Sequence, residues 1–79
     1  MENKITITIS GKAGSGKSRL AYIIKQLLKT NDFEIEHHIS SDYQNEFDFN
    51  SKVGYNIGNA IQSISKKTGI IIEEVQLPK

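Results

Sequence analysis

Gly11-Lys12-Ala13-Gly14-Ser15-Gly16-Lys17-Ser18 is the stretch from which the fold of this chain is predicted. Immediately before it, Ile5-Thr6-Ile7-Thr8-Ile9-Ser10 alternates strictly between apolar and polar residues, as a half-buried strand does. Immediately after it, apolar residues recur at helical spacing, at Leu20, Ile23, Ile24, Leu27 and Leu28. The sequence therefore predicts a strand, a tight glycine-rich turn and a helix.

The pattern G-x-x-x-x-G-K-[ST] in this turn suits a phosphate group. A glycine-rich turn between strand and helix aims backbone N–H groups into one concavity, which the positive end of the helix dipole also faces. Lys17 can reach terminal phosphates, and the Ser18 hydroxyl can ligate a magnesium ion that bridges them. We therefore expect Gly11 to Ser18 to bind a cofactor, with Lys17 as a catalytic group and Ser18 as a metal ligand; a chance match in a loop is the alternative. The predicted cofactor-binding residues are Gly11, Lys12, Ala13, Gly14, Ser15, Gly16, Lys17 and Ser18.

Over residues 4–30 the chain resembles the P-loop NTPase superfamily, whose Walker A motif has this strand–loop–helix form. The resemblance implies binding of a nucleoside triphosphate with Mg²⁺. ATP is the default nucleotide, because the sequence contains no guanine-specifying N-K-x-D motif. More loosely, most of the chain is similar to very small P-loop proteins encoded by bacteriophages, which end in a short isoleucine-rich strand near Leu-Pro, here Leu77-Pro78.

The remaining elements complete a predicted β-α-β-α-β order. The first helix is expected over about Lys17 to Lys29, and a second alternating strand follows over residues 33–40. Residues 41–50 are predicted to be a loop. A second helix, capped by Asn50 or Ser51, then follows and stops at Gly69. Its apolar stripe consists of Val53, Ile57, Ala60, Ile61 and Ile64.

With Ile70 to Leu77 as the third strand, the expected fold class is α/β. It is a minimal P-loop NTPase-like fold with a three-stranded, mainly parallel sheet and two helices, in one domain over residues 1–79. Right-handed crossovers put both helices on one face for strand order 1-2-3, whereas the family analogy favours 2-1-3. Polar residues such as Thr6 and Glu34 lie on the second face of the predicted sheet. That face is therefore either exposed to solvent or covered by a protein partner, including a second copy of the chain.

Length and composition narrow the classes of function. The chain has 79 residues, no cysteine and a net charge of +1. A chain this small buries only about 60–65% of its unfolded surface. A disulfide framework and a thiolate metal site are excluded. Bulk charge does not indicate nucleic acid as a partner, and the absence of any long apolar run predicts a cytoplasmic protein that does not contact a membrane.

Two places in the sequence offer a carboxylate for magnesium and for positioning a nucleophile. Asp42 follows the second strand, and residues 39–43 are similar to the strand-end segment of uridine-kinase-like P-loop kinases, in which an aspartate faces the acceptor hydroxyl. Alternatively, Glu73 and Glu74 end an isoleucine run that is similar to a Walker B strand. We predict Asp42 as the catalytic and metal-binding carboxylate, because the carboxyl ends of parallel strands share the edge where the loop opens.

Three functions remain open at this point. The first is triphosphate binding with Mg²⁺, with slow or partner-dependent hydrolysis. The second is an interaction module without turnover, whose basic loop holds phosphate, nucleic-acid backbone or an acidic partner. The third is a small kinase with Asp42 as base, for which the chain has no sequence to build a lid or an acceptor site.

Overall fold

The computed structural model describes residues 4–78 and has three helices in this range. Helix α1 spans Lys17–Thr30, α2 spans Glu46–Gly54 and α3 spans Ile57–Ser65. Both α2 and α3 pack against α1. Within residues 4–78, no helix has both the length and the apolar character that crossing a membrane requires.

The predicted three-stranded parallel sheet is wrong, and the α/β fold class is wrong with it. Residues 4–10, 33–40 and 70–78 belong to neither a helix nor a paired strand. Alternation of apolar and polar residues makes a strand only where a second strand supplies backbone partners and a packed layer covers the apolar face. Here both conditions fail, since Ile5 is 91% exposed and Ile72 is 88% exposed. The question of strand order therefore does not arise.

The first helix is where the sequence predicted it. Gly16 precedes it with φ 100°, and the helix continues one residue beyond the expected Lys29. At its end the Asn31 side-chain amide donates a hydrogen bond of 2.8 Å to the Leu27 carbonyl. The Asn31 backbone N–H bonds the carbonyls of Leu27 and Leu28, and the N–H groups of Asp32 and Phe33 bond those of Lys29 and Leu28, so the residues that follow α1 satisfy its last carbonyls.

The predicted second helix is wrong in both its start and its continuity. Residues 46–50, expected to be loop, form the first half of α2, because the Asn45 side chain accepts a hydrogen bond of 2.8 Å from the Asp48 N–H and caps the helix. The helix then ends at Gly54, and Asn56 adopts the left-handed conformation with φ 54°. Asn and Gly are poor residues in a helix interior, and here they separate α2 from α3.

The core is small and is centred on Phe49 and Val53, the two described apolar residues that are buried. The ring of Phe49 meets those of His37 and Tyr43 edge to face, with centroids 4.7 Å and 5.1 Å away. Gly54 lies close to α1, because an added Cβ would be 2.9 Å from Tyr22 Oη. At Gly58, by contrast, an added Cβ meets no described heavy atom within 4 Å.

Lys25 on α1 is the buried polar residue that joins three parts of the chain. It is 4% exposed, and its Nζ lies 2.6 Å from Glu46 Oε1 on α2. The same atom lies 3.4 Å from His37 Nδ1 in the segment that follows α1. Burial of a lysine is tolerated only with such partners. Of the two adjacent histidines, His37 is half-buried against Phe49 and His38 is exposed.

Candidate phosphate-binding site

The glycine-rich loop forms a tight turn that only glycine can make without strain at two positions. The Ser15 N–H donates a hydrogen bond of 3.1 Å to the Lys12 carbonyl, which closes a four-residue turn. Gly14, its third residue, has φ 82°, the sign that a type II turn requires there. Gly16 has φ 100°. Both values lie in the left-handed region that side chains with a Cβ rarely adopt.

The N-terminus of α1 begins directly after this turn with its backbone donors available. No described side chain caps it, and its first turn contains no acidic residue. The first N–H groups of a helix have no acceptor within the helix, so those of Lys17, Ser18 and Arg19 can donate to an anion. The Lys17 amine donates a hydrogen bond of 2.7 Å to the Gly11 carbonyl, which keeps this cation folded over the loop.

Two residues from the C-terminal half of the chain, Ile64 and Thr68, contact the loop. The Thr68 hydroxyl, just after α3, donates a hydrogen bond of 3.1 Å to the Ser15 carbonyl. Ile64 of α3 lies so close to Gly16 that an added Cβ would be 2.7 Å from its Cδ1. The turn geometry is therefore fixed by contacts distant in sequence as well as by its glycines.

A cleft of about 290 Å³ opens in front of the loop and brings three parts of the chain together. The loop and α1 form one part of it, the turn after residue 40 another, and α2 the third. Its lining residues are Ala13, Gly14, Gly16, Lys17, Ser18, Arg19, Asp42, Tyr43, Lys52 and Val53. Of the predicted loop residues, Gly11, Lys12 and Ser15 lie outside this lining and shape the turn instead.

Asp42 lies in this cleft, whereas the competing glutamates do not line it. The Asp42 N–H donates to Ser40 Oγ, and that hydroxyl donates back to Asp42 Oδ2, both at 3.3 Å. Glu73 lines a separate groove of about 760 Å³ between the two terminal segments, and Glu74 is exposed. The geometry therefore brings one carboxylate to the loop, although the sheet from which this position was argued is absent from residues 4–78.

A magnesium ion in the cleft would find oxygen ligands of the kind it prefers. Among residues 4–78, no three histidine or acidic side chains gather closely enough to hold a metal ion by themselves. Ser18 and Asp42 nevertheless line the same cleft and carry a hydroxyl and a carboxylate. Mg²⁺ usually takes one or two such protein ligands and completes its shell with phosphate oxygens and water. The residues present fit that mode of binding.

Two cleft residues on α2, Lys52 and Val53, were missed by sequence reasoning. Because residues 46–50 were expected to be loop, the orientation of the helix that carries Lys52 could not be derived. A usable signal was present, since Asp48 and Lys52 stand four apart, a spacing that pairs charges on one helix face. The structure has this ion pair, with Lys52 Nζ 3.2 Å from Asp48 Oδ1.

Comparisons of the chain with protein-family models, with curated proteins and with solved structures return no match. The arguments for function therefore rest on the sequence motif and on the geometry of this cleft.

Proposed function

We propose that this chain binds a nucleoside triphosphate, ATP by default, together with Mg²⁺ through residues 11–18. One observation carries the proposal: the glycine-rich turn and the uncapped N-terminus of α1 open into the cleft that also contains the carboxylate of Asp42. Donors for phosphate oxygens and an oxygen ligand for a cation thus meet in one place. The resemblance to P-loop NTPases points to the same chemistry.

Each residue has a separate task in this proposal. The backbone N–H groups of Gly16, Lys17 and Ser18 donate to phosphate oxygens, since the positive φ values keep the turn open for close approach. Lys17 exchanges its hydrogen bond with the Gly11 carbonyl for contacts with the terminal phosphates. Ser18 and Asp42 hold Mg²⁺, which when bound offsets the negative charge of the phosphates.

Hydrolysis, where it occurs, is slow or depends on a partner. Asp42 can orient a water molecule or accept its proton, because it lines the cleft in front of the loop. The cleft is open, and residues 4–78 form no lid over it that excludes water, so electrostatic stabilisation of a transition state is weak. A small kinase would also need an acceptor site, for which no second group of residues is gathered in this cleft.

Isothermal titration with ATP and Mg²⁺ tests the proposal. Lys17→Ala should weaken ATP binding at least about tenfold, equal to about 1.4 kcal/mol, because the cation nearest the phosphates is removed. Lys4→Ala is the matched control, since Lys4 lines the separate groove and carries the same charge. Ser18→Ala should remove the gain that Mg²⁺ gives. Absence of binding to the unmodified chain at millimolar ATP, or equal binding by Lys17→Ala, would contradict the proposal.

The interaction module without turnover is favoured by the charge of the cleft. Lys17, Arg19 and Lys52 line it against a single carboxylate, so it also suits a nucleic-acid backbone or an acidic partner. Filter binding of DNA and RNA at two salt concentrations separates the two functions. Strong salt dependence without competition by ATP would support the interaction module over triphosphate binding.

A further inference from the structure

We propose that Lys52 is a second phosphate-binding residue, and that the cleft recognises the phosphate chain of its ligand rather than the base. The preferred ligand class is therefore any triphosphate, inorganic triphosphate included. This inference rests on the proposed function and names its substrate class. It starts from the position of Lys52, which α2 carries into the same cleft as the loop.

The distribution of charge in the cleft supports a chain of several phosphates. Lys17 and Arg19 stand at the start of α1, and Lys52 comes from a different helix, so the cations are spread over two elements. A single orthophosphate held by the loop needs only the first of these groups. A longer anion that leaves the loop meets Lys52 as well, and each added charge contact favours it.

The Lys52 side chain is positioned by an ion pair with Asp48 but stays largely accessible to a ligand. Its Nζ lies 3.2 Å from Asp48 Oδ1, while 63% of its side chain stays exposed. Asp48 in turn is fixed, because its Oδ2 accepts a hydrogen bond of 3.0 Å from the Gln44 N–H. The ammonium end of the pair is open to water, although the Asp48 side chain is only 19% exposed, so a phosphate group can contact Lys52 without displacing other protein groups.

The size of the cleft and its lining argue against recognition of a base. Its volume of about 290 Å³ is at the lower end for small-molecule sites, which usually span about 300–1,000 Å³. Tyr43 is the one aromatic residue in its lining, and that ring is packed edge-on against Phe49. The lining contains no asparagine or glutamine, and its charged side chains Lys17, Arg19, Asp42 and Lys52 are assigned to phosphate and Mg²⁺ rather than to the edge of a base. The nucleoside therefore stays largely outside.

Competition titrations with inorganic triphosphate, ATP, GTP and CTP test the ligand class. We expect the four dissociation constants to agree within about threefold, because no contact distinguishes the bases. AMP should bind far more weakly than any of them. A preference of tenfold or more for one nucleotide over inorganic triphosphate, about 1.4 kcal/mol, would overturn the inference.

Variants at position 52 test whether Lys52 binds phosphate. Lys52→Ala should weaken triphosphate binding about five- to tenfold and leave orthophosphate binding within about twofold, whereas Lys52→Arg should restore it. Lys4→Ala serves as the charge-matched control, and Lys52→Met keeps the aliphatic stem if alanine disturbs α2. If ATP binding depends on Lys17 but not on Lys52, this inference fails and the proposed function stands. If no triphosphate binds the unmodified chain, both fail.

Discussion

Gly16 of the loop lies directly against Ile64 of α3: a Cβ at position 16 would be 2.7 Å from Ile64 Cδ1. The same glycine has φ 100°. The residue just before α1 is thus constrained both by its own backbone and by a helix in the C-terminal half of the chain. Glycine at this position is needed for the contact between the loop and α3 as much as for the approach of a phosphate.

Gly16→Ala should therefore unfold the loop and lower both stability and triphosphate binding. The left-handed conformation alone costs a residue with a Cβ about 1–2 kcal/mol, and the contact with Ile64 adds to this. Gly58→Ala is the matched control, because a Cβ there meets no described atom within 4 Å and alanine favours helix by about 1 kcal/mol. Thermal unfolding measures both. Equal melting temperatures for the two variants would contradict the packing described here.

Turnover, if measurable, should depend on Asp42 and not on the C-terminal glutamates. Asp42→Asn keeps the shape of the side chain and removes its charge, so loss of phosphate release would report electrostatics at the cleft. The comparison is the double variant Glu73→Gln, Glu74→Gln, whose first position lines the separate groove. Loss of activity in the double variant alone would move the Walker B role to the C-terminal segment.

Stability should fall when the pH drops below about 6.5 because of His37. Burial, then the nearby charge of Lys25, lower the pKa of His37 below its ordinary 6.5, against an opposing effect of Glu46 and a further lowering by His38. The unfolded chain therefore binds the proton more readily, so stability is full above 6.5 and is lost as the pH falls through the folded pKa. The pKa of Glu46 is lowered from 4.5, mainly by its hydrogen bond from Lys25. The stability that ionised Glu46 contributes is therefore lost only at pH values below about 4.5, outside the window of His37.

Thermal unfolding at about pH 7.5 and about pH 5.5 checks this window. The unmodified chain should have a lower melting temperature at the lower pH. In His37→Gln, the difference between the two melting temperatures should be much smaller. His38→Gln should keep it, because the side chain of His38 is 86% exposed. A His37→Gln variant with the full pH dependence would show that another group is responsible.

The chain should associate with itself or with a partner at working concentrations. Ile5, Ile71 and Ile72 are 91%, 84% and 88% exposed, and the segments that carry them offer backbone groups without strand partners. Sedimentation at high micromolar concentration should detect association, and Ile71→Lys with Ile72→Lys should reduce it. Gln76→Lys adds charge in the same segment without removing an apolar side chain. A strict monomer would contradict this expectation.

Local signals in the sequence were sufficient for α1 and its preceding turn. Gly14, Gly16 and the apolar spacing after Lys17 act within a few residues of one another, so their outcome does not depend on the rest of the fold. The cap at Asn45 was equally local, with Asp48 three residues on, but the polar and aromatic residues around it were interpreted as loop.

What could not be predicted depends on contacts between distant segments. Strand pairing is decided by whether another segment supplies backbone partners, and alternation over residues 4–10 carries no information on that. The burial of Lys25 requires Glu46 and His37, which reach it only once α2 has formed. The place of Lys52 in the cleft has the same origin. Asp42 was placed near the loop from a sheet edge that is absent from residues 4–78, so its position there has a different structural basis.

Amide chemical shifts measured during a titration with ATP and Mg²⁺ test the central claim most directly. The account predicts that the amides of residues 13–19 shift most and saturate, with smaller changes around Asp42 and Lys52. Residues 70–78, which do not line the cleft, should stay unchanged. Saturable shifts confined to other residues, or none in the loop at millimolar ATP, would contradict the account.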